Sequence, residues 1–327
     1  MIWLHRYIKL VAASTLLLIA AGGMVTSTDS GLAVPDWPNT YGHFMFSFPL
    51  ENMVGGILYE HGHRMIASTV GFLTIVLAAW TWMVEPRRWL RWLAVIALCA
   101  VILQGILGGI TVLYLLPAPV SIGHAGLAQI FFCITIGLSV FTSPGWQAER
   151  NPVQDPTLRL AALTTTVMVY VQIMLGATMR HIEAGMAIPD FPLAFGHLVP
   201  PFWNPGVAVH FAHRLGAIFV TLAIAATAGH IWHYHRSRPQ LVRPAAVMVL
   251  LVLVQVTLGA YVVWSGLQPV INTAHVVNGA LVLATSLVVT LRSFRSSFSL
   301  AEMPARAERA EPRETLGSKP LGSTTRA

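Results

Sequence analysis

Apolar residues run through this chain in eight long stretches, and polar residues gather in the segments between them. A hydrocarbon core of about 30 Å takes roughly 20 apolar residues in a helix rising about 1.5 Å per residue. The pattern predicts eight membrane-spanning helices near 8–28, 64–84, 90–112, 121–141, 158–179, 210–232, 243–264 and 271–291. The fold class read from it is an all-α integral membrane protein. The first run is of full span length and lacks a small-residue cleavage site, so it reads as a span and not as a cleaved secretory signal.

Composition agrees, with 55% hydrophobic and only 10% charged residues, against roughly 25% charged in soluble domains. The net charge of +7 would suit a nucleic-acid binder, so the placement of the basic residues decides. All but three of the 20 Lys+Arg fall at the termini or in alternate short loops, and the exceptions are Arg64, Arg180 and Arg214. The positive-inside rule then predicts that both termini are cytoplasmic and that the long loops 29–62 and 180–209 lie outside. No basic patch is interleaved with aromatics, which excludes nucleic acid and leaves the membrane lipid as the partner of this surface. The tail from Ser293 to Ala327 is too polar to bury a core and is expected to be disordered. Cys99 and Cys133 both fall within predicted spans and form no CxxC pair, so they are read as packing residues.

The chain repeats itself. Residues 31–43, GLAVPDWPNTYGH, match residues 185–197, GMAIPDFPLAFGH, with seven of thirteen positions identical. His63-Arg64 matches His213-Arg214, Gln104 and Gly108 match Gln255 and Gly259, and His124 matches His275. Two tandem four-helix bundles are expected, and an even number of spans in each makes them parallel repeats, with equivalent residues at equal depth. The division falls at 1–145 and 146–292, followed by the tail 293–327.

Ionisable residues inside a span are costly and usually face a bundle interior. Here each bundle offers one imidazole from each of two helices, His63 with His124 and His213 with His275, all near the outer starts of their spans. Two trans imidazoles suit the iron of a haem, and bundle cores commonly hold cofactors between facing helices. Zinc would need three or four ligands, and no cysteine or carboxylate trio accompanies the histidines. Arg64 and Arg214, each following a histidine, are placed to meet haem propionates. Glu60 stands three residues before His63 and shares its helix face, whereas His210 holds the matching position before His213. A carboxylate beside only one of the two pockets could accept a proton or support a developing cation.

Other polar residues are assigned structural roles. Asp36 and Asp190 are read as turn caps, and Gln104, Gln255 and their glycines as helix contacts. His43 and His197 are read as loop hydrogen-bonding groups. His230, His233 and His235 cluster at the inner end of the sixth span and are assigned no metal; His61 and His181 have no partner across the repeat.

Taken as a set, Gly23-Met24-Val25-Thr26, Ser30-Gly31-Leu32, Pro35-Asp36-Trp37-Pro38, Glu60-His61-Gly62-His63-Arg64, His124, His213-Arg214 and His275 resemble the haem A synthase family over about residues 8–292. The resemblance implies oxidation of the C8 methyl of haem O to a formyl group by successive hydroxylations. It implies a permanent haem b between His213 and His275 in the C-terminal bundle. The substrate haem O would then lie at His63 and His124 in the N-terminal bundle, with Glu60 as the catalytic carboxylate. It also implies a bacterial-type inner membrane, an electron acceptor, haem O synthase as a neighbour in the pathway, and room for a homo-oligomer. Many members carry a cysteine pair in the first outer loop, and this chain has none between Ser27 and Gly62. A thiol role there is therefore not expected. Two other classes would use the same histidines, a non-catalytic di-haem electron carrier and a haem carrier, and Glu60 is the residue that separates them from an enzyme.

Overall fold

The computed structural model of the chain describes residues 2–148, 153–296 and 298. Most of the tail, from residue 299 on, lies outside these described residues. Among the described residues there are eight long helices: α1 (Ile2–Ser27), α2 (Gly56–Val84), α3 (Arg88–Leu113), α4 (Ala118–Thr142), and, after the short α5 (Pro144–Gln147), α6 (Pro156–His181), α7 (Pro205–Tyr234), α8 (Pro239–Trp264) and α9 (Pro269–Ser293). All eight are long and apolar enough to cross a membrane. Their outward faces carry large apolar side chains such as Leu160, Val167 and Val171 on α6 and Leu250 and Leu253 on α8, the surface a lipid solvent selects.

Proline sets several helix starts, because a first-turn residue has no need of its N–H. Pro156, Pro205 and Pro269 follow Asp155, Asn204 and Gln268, whose side chains accept the N–H groups of Leu158, Val207 and Ile271. The two helices that follow the long loops begin five to eight residues earlier than the apolar runs suggest. α2 starts at Gly56, not at 64, and α7 at Pro205, not at 210. Hydropathy under-reads these ends because Glu60, His61 and His210 are buried, at 4%, 2% and 3% exposure. They face the outer loops and not water, so a polar residue there marks a covered helix end.

The same packing pattern closes each group of four. α1 meets α2 and α4, and α3 meets α2 and α4; α6 meets α7 and α9, and α8 meets α7 and α9. The groups join through α1–α9, α4–α6 and α4–α9. Accordingly α4 and α9 are the most buried spans, with 56% and 50% of their most apolar stretch covered, against 17% for α6. Along the seam, Ser27 Oγ accepts from Asn272 Nδ2 at 3.1 Å and meets Thr273 Oγ1 at 3.3 Å. Gly23 brings the two backbones together, since a Cβ there would stand 3.1 Å from Thr273 Cγ2. On the loop side, Arg180 pairs with Asp29 at 3.0 Å.

The two repeated loop segments fold alike. Asp36 accepts from the N–H groups of Tyr41 and Gly42, both at 2.8 Å, and Asp190 from those of Phe195 and Gly196 at 2.7 and 2.8 Å. In each turn both amide donors belong to residues with positive φ, 49° and 76° in the first and 56° and 77° in the second. This left-handed pair points two successive N–H groups at one carboxylate, the anion-binding concavity such turns make. Bridges Thr40–His43 and Ala194–His197 close the turns, and the bonds Trp37–Pro38 and Phe191–Pro192 are both cis. Partial burial raises the Asp36 carboxyl, but the Gly42 and Tyr41 amides and Arg64 outweigh it and hold it below its usual value. The Gly196 amide, with Phe195, does the same for Asp190. The reading of both aspartates as turn caps holds.

Candidate functional site

The four repeated histidines each stand about two turns inside a helix, on α2, α4, α7 and α9. His63 therefore lies within its span and does not open it, because the helix start moved outward. Each ring rests on a glycine of the adjoining helix. A Cβ added to Gly22 of α1 would lie 3.0 Å from His63 Cε1, and one on Gly108 of α3 3.5 Å from His124 Cε1. In the other bundle, Gly176 of α6 stands 2.9 Å from His213 and Gly259 of α8 3.2 Å from His275 by the same measure. These glycines are where the imidazoles fit between helices. Gly108 and Gly259 thus permit close contact as expected from sequence, but the group brought close is the histidine ring.

The donor set matches a planar iron cofactor. The His213 and His275 ring centres are 6.5 Å apart. A metal–imidazole bond of about 2 Å on each side, with about 1 Å from nitrogen to ring centre, would put two imidazoles that share one iron on the order of 6 Å apart. Nδ1 of His63, His124 and His275 is buried without a hydrogen-bond partner, and a buried polar atom left unpaired is costly and points to a missing ligand. Two imidazoles per bundle are too few for a closed zinc site, but they suffice for a haem iron.

Glutamines hold three of the four helix segments that carry these rings. Gln104 Nε2 donates to the backbone oxygen of His124 at 3.0 Å, Gln255 Nε2 to that of His275 at 3.1 Å, and Gln172 Nε2 to that of His213 at 2.7 Å. Gln172 also meets His213 Nδ1 at 3.1 Å and Gln255 meets His275 Nε2 at 3.2 Å, while Asn278 donates to Gln255 Oε1 at 2.7 Å. Gly216 leaves room for Gln172, whose Oε1 would collide with a Cβ there. Sequence reading passed over Gln172 because its counterpart in the first half is Leu18. No repeat drew attention to it, and His63 has no matching glutamine.

Glu60 and His210 occupy one structural slot with different chemistry. Glu60 Oε2 accepts from Val34 N–H at 2.7 Å and Oε1 from Arg64 at 2.5 Å. His210 Nδ1 faces Ile188 N–H at 3.4 Å and Ala184 O at 3.1 Å, and Ile188 is the residue that matches Val34 in sequence. The carboxylate is thus tied to the outer loop as well as standing on the histidine face. Arg64 donates to Asp36 O, Asn39 O, Val34 O and Glu60. Arg214 donates to Leu193 O and Ile188 O, and its buried Nε has no partner. Arg214 therefore keeps more donor capacity than Arg64 for an incoming anion.

The remaining sequence candidates fall elsewhere. His61 bonds Thr40 and packs on Phe48, and His43 also packs on Phe48; both brace the loop. Cys133 is partly buried, but Cys99 is exposed on the outer helix surface, so its packing role inside a bundle is corrected. His230 and His235 meet Asp155 at the opposite end of the bundle.

Comparison with known proteins gives a consistent answer. The family model of the COX15-CtaA cytochrome oxidase assembly proteins matches residues 5–287. A protein of Symbiobacterium thermophilum named heme A synthase is 35% identical over 261 residues, covering 76% of this chain and 81% of that protein. Another of the same name from Geobacillus kaustophilus is 28% identical over 314 residues, 92% of this chain and 97% of that protein.

Proposed function

This chain belongs to the COX15-CtaA family of cytochrome oxidase assembly proteins, and from that premise we propose that it is a haem A synthase that oxidises the C8 methyl of haem O to the formyl group of haem A. One observation carries the reading. Two partly buried histidine pairs sit on matched glycines, and only the N-terminal pair has a carboxylate, the buried Glu60, in the slot that holds His210 in the other bundle.

In this reading the N-terminal bundle, residues 1–145, takes haem O between His63 and His124. The C-terminal bundle, residues 146–292, keeps a haem b between His213 and His275. A haem b held there by His213 and His275 would supply a one-electron redox centre. Two hydroxylations take the methyl to an alcohol and then to a gem-diol, which loses water to leave the aldehyde. Each takes its oxygen from water and passes two electrons to an acceptor outside the chain, and two protons must leave with them. Glu60 is the buried carboxylate that stands beside only this pocket and is placed to accept one, held at 2.5 Å from Arg64. Gln104, Gln172 and Gln255 position the histidines by holding their helix backbones. Arg214, with its free Nε, and Arg64 supply positive charge for haem propionates.

The charge pattern supports an inner-membrane orientation with cytoplasmic termini and haem sites toward the outer face. Haem O synthase is the natural neighbour, since its product is this substrate. A two-haem wire across the membrane would need sites at two depths, whereas all four histidines lie at similar distances from the starts of the even-numbered spans. The deciding experiment expresses the chain in cells that make haem O but no haem A and chromatographs the extracted pigments. Haem A is expected; its absence alongside well-folded protein would sink the proposal.

A further inference from the structure

At the end of the C-terminal bundle opposite the histidine pair, Asp155, His230 and His235 bring three ligand atoms together. Asp155 Oδ2 lies 2.8 Å from Nε2 of His230 and 2.8 Å from Nε2 of His235, and the three atoms lie within 4.8 Å of one another. The other carboxylate oxygen, Oδ1, is occupied by the Leu158 N–H at 2.9 Å, capping α6. The division of labour within one carboxylate fixes Oδ2 toward the imidazoles. His230 projects from the last turns of α7, and His235 follows the end of that helix, where φ −130° and ψ 23° return its side chain to the same carboxylate. His233, between them, packs on Tyr234 instead.

We propose that Asp155, His230 and His235 form a binding site for a divalent transition-metal cation of the zinc class. Two imidazole nitrogens and one carboxylate oxygen are the ligand types that borderline cations prefer. With bonds of about 2.0–2.1 Å in tetrahedral geometry, neighbouring ligand atoms stand roughly 3.3 Å apart, so the present 2.8 Å edges need to open by only about half an ångström. The side chains retain 18%, 19% and 14% exposure for Asp155, His230 and His235. That leaves an open face for a water ligand and for metal exchange. Each Nε2 now donates to Oδ2, and metal binding would move that proton to Nδ1 and free the nitrogen lone pair. The metal would tie the start of α6, just after the segment joining the two bundles, to the end of α7. This site is distinct from the haem-binding histidines and does not depend on the proposed reaction.

The test uses the purified full chain in detergent, stripped with a chelator and dialysed against ZnCl2 at neutral pH. Wild type is expected to retain one zinc per chain more than the H230A/H235A variant, and the H233A variant to match wild type. Asp155→Asn keeps an oxygen to cap α6 but removes the ligand charge. It should weaken zinc by more than the roughly tenfold typical of losing an outer-shell partner, with the helix content unchanged. Zinc-edge X-ray absorption of wild type should show two imidazole ligands. Equal zinc uptake by wild type, H230A/H235A and D155N would overturn the proposal and leave a hydrogen-bonded triad only.

Discussion

The Glu60 carboxylate holds the amide of Val34 at 2.7 Å, so the side chain that distinguishes the N-terminal bundle also fastens its outer loop. The other oxygen pairs with Arg64. Glu60 is buried and Arg64 nearly so, and removing one partner of a buried pair typically costs about 3–5 kcal/mol because the other charge is stranded. Glu60→Gln keeps an acceptor for Val34 but loses the base. Haem A production should fall by at least tenfold with the haem b spectrum intact. Glu60→Ala should lose turnover too and also loosen the loop, seen as faster proteolysis within 29–55. Wild-type turnover in Glu60→Gln would remove the carboxylate from the mechanism.

The histidine pairs should be separable by spectrum. His213→Ala or His275→Ala is expected to abolish the low-spin haem b absorption of the purified protein. His63→Ala and His124→Ala should keep it and lose product. An unchanged spectrum in His275→Ala would place haem b elsewhere.

The glycines under the rings give a matched steric pair. A methyl at Gly176 would sit 2.9 Å from His213 and one at Gly22 3.0 Å from His63, closer than ordinary contact, so the ring must move. Gly176→Ala should shift or weaken the haem b absorption. Gly22→Ala should leave it alone and reduce haem A formation.

Gln172 and Gln255 are positioning residues, and their loss should be felt in geometry more than in folding. Hydrogen bonds between membrane helices average about 0.6 kcal/mol and reach about 1.7, too little to unfold the bundle. Gln172→Leu, which copies the Leu18 of the other half, should retain haem b with an altered electron paramagnetic resonance signal and a shifted midpoint potential. Gln172→Glu, which removes the Nε2 donor that faces His213 Nδ1 and the His213 carbonyl, should not restore the signal. A wild-type signal in Gln172→Leu would show that the contact does not orient the ligand.

The loop turns carry a defined acid limit. Asp36 and Asp190 have carboxyls held below their ordinary values. Their contribution is full above the unfolded pKa of about 3.9 and is lost as pH falls through the lower folded values. The loops should therefore stay protected from hydrogen exchange from neutral pH down to about 4 and open below it. Asp190→Asn should raise exchange at neutral pH at residues 195 and 196 and flatten the acid dependence. A wild-type loop that opens already between pH 6 and 5 would contradict this.

How much of this was readable in sequence follows from what burial does to residue choice. In a lipid-facing chain an internal histidine has no bland solvent role, so His63, His124, His213 and His275 stood out, and repetition paired them. Repetition also hid things. Gln172 has a leucine as its counterpart, and Asp155 lies 75 residues from His230, so neither was marked by symmetry or local spacing. The early starts of α2 and α7 were missed for a related reason: a hydropathy window counts Glu60 and His210 as polar, while the folded loop covers them. Cys99 shows the opposite error, since an apolar span predicts membrane but not which face turns to lipid.

The seam between Ser27 on α1 and Asn272 and Thr273 on α9 joins the first span of the chain to its last. Its consequence concerns biogenesis. During stepwise insertion the first helix enters the bilayer with its seam face, including Gly23 and Ser27, exposed to lipid, and keeps it so until the eighth span arrives. The N-terminal bundle can gather its own four helices early, but its α1–α9 seam forms only once α9 has been made, so a chain truncated before α9 would leave both halves unsealed.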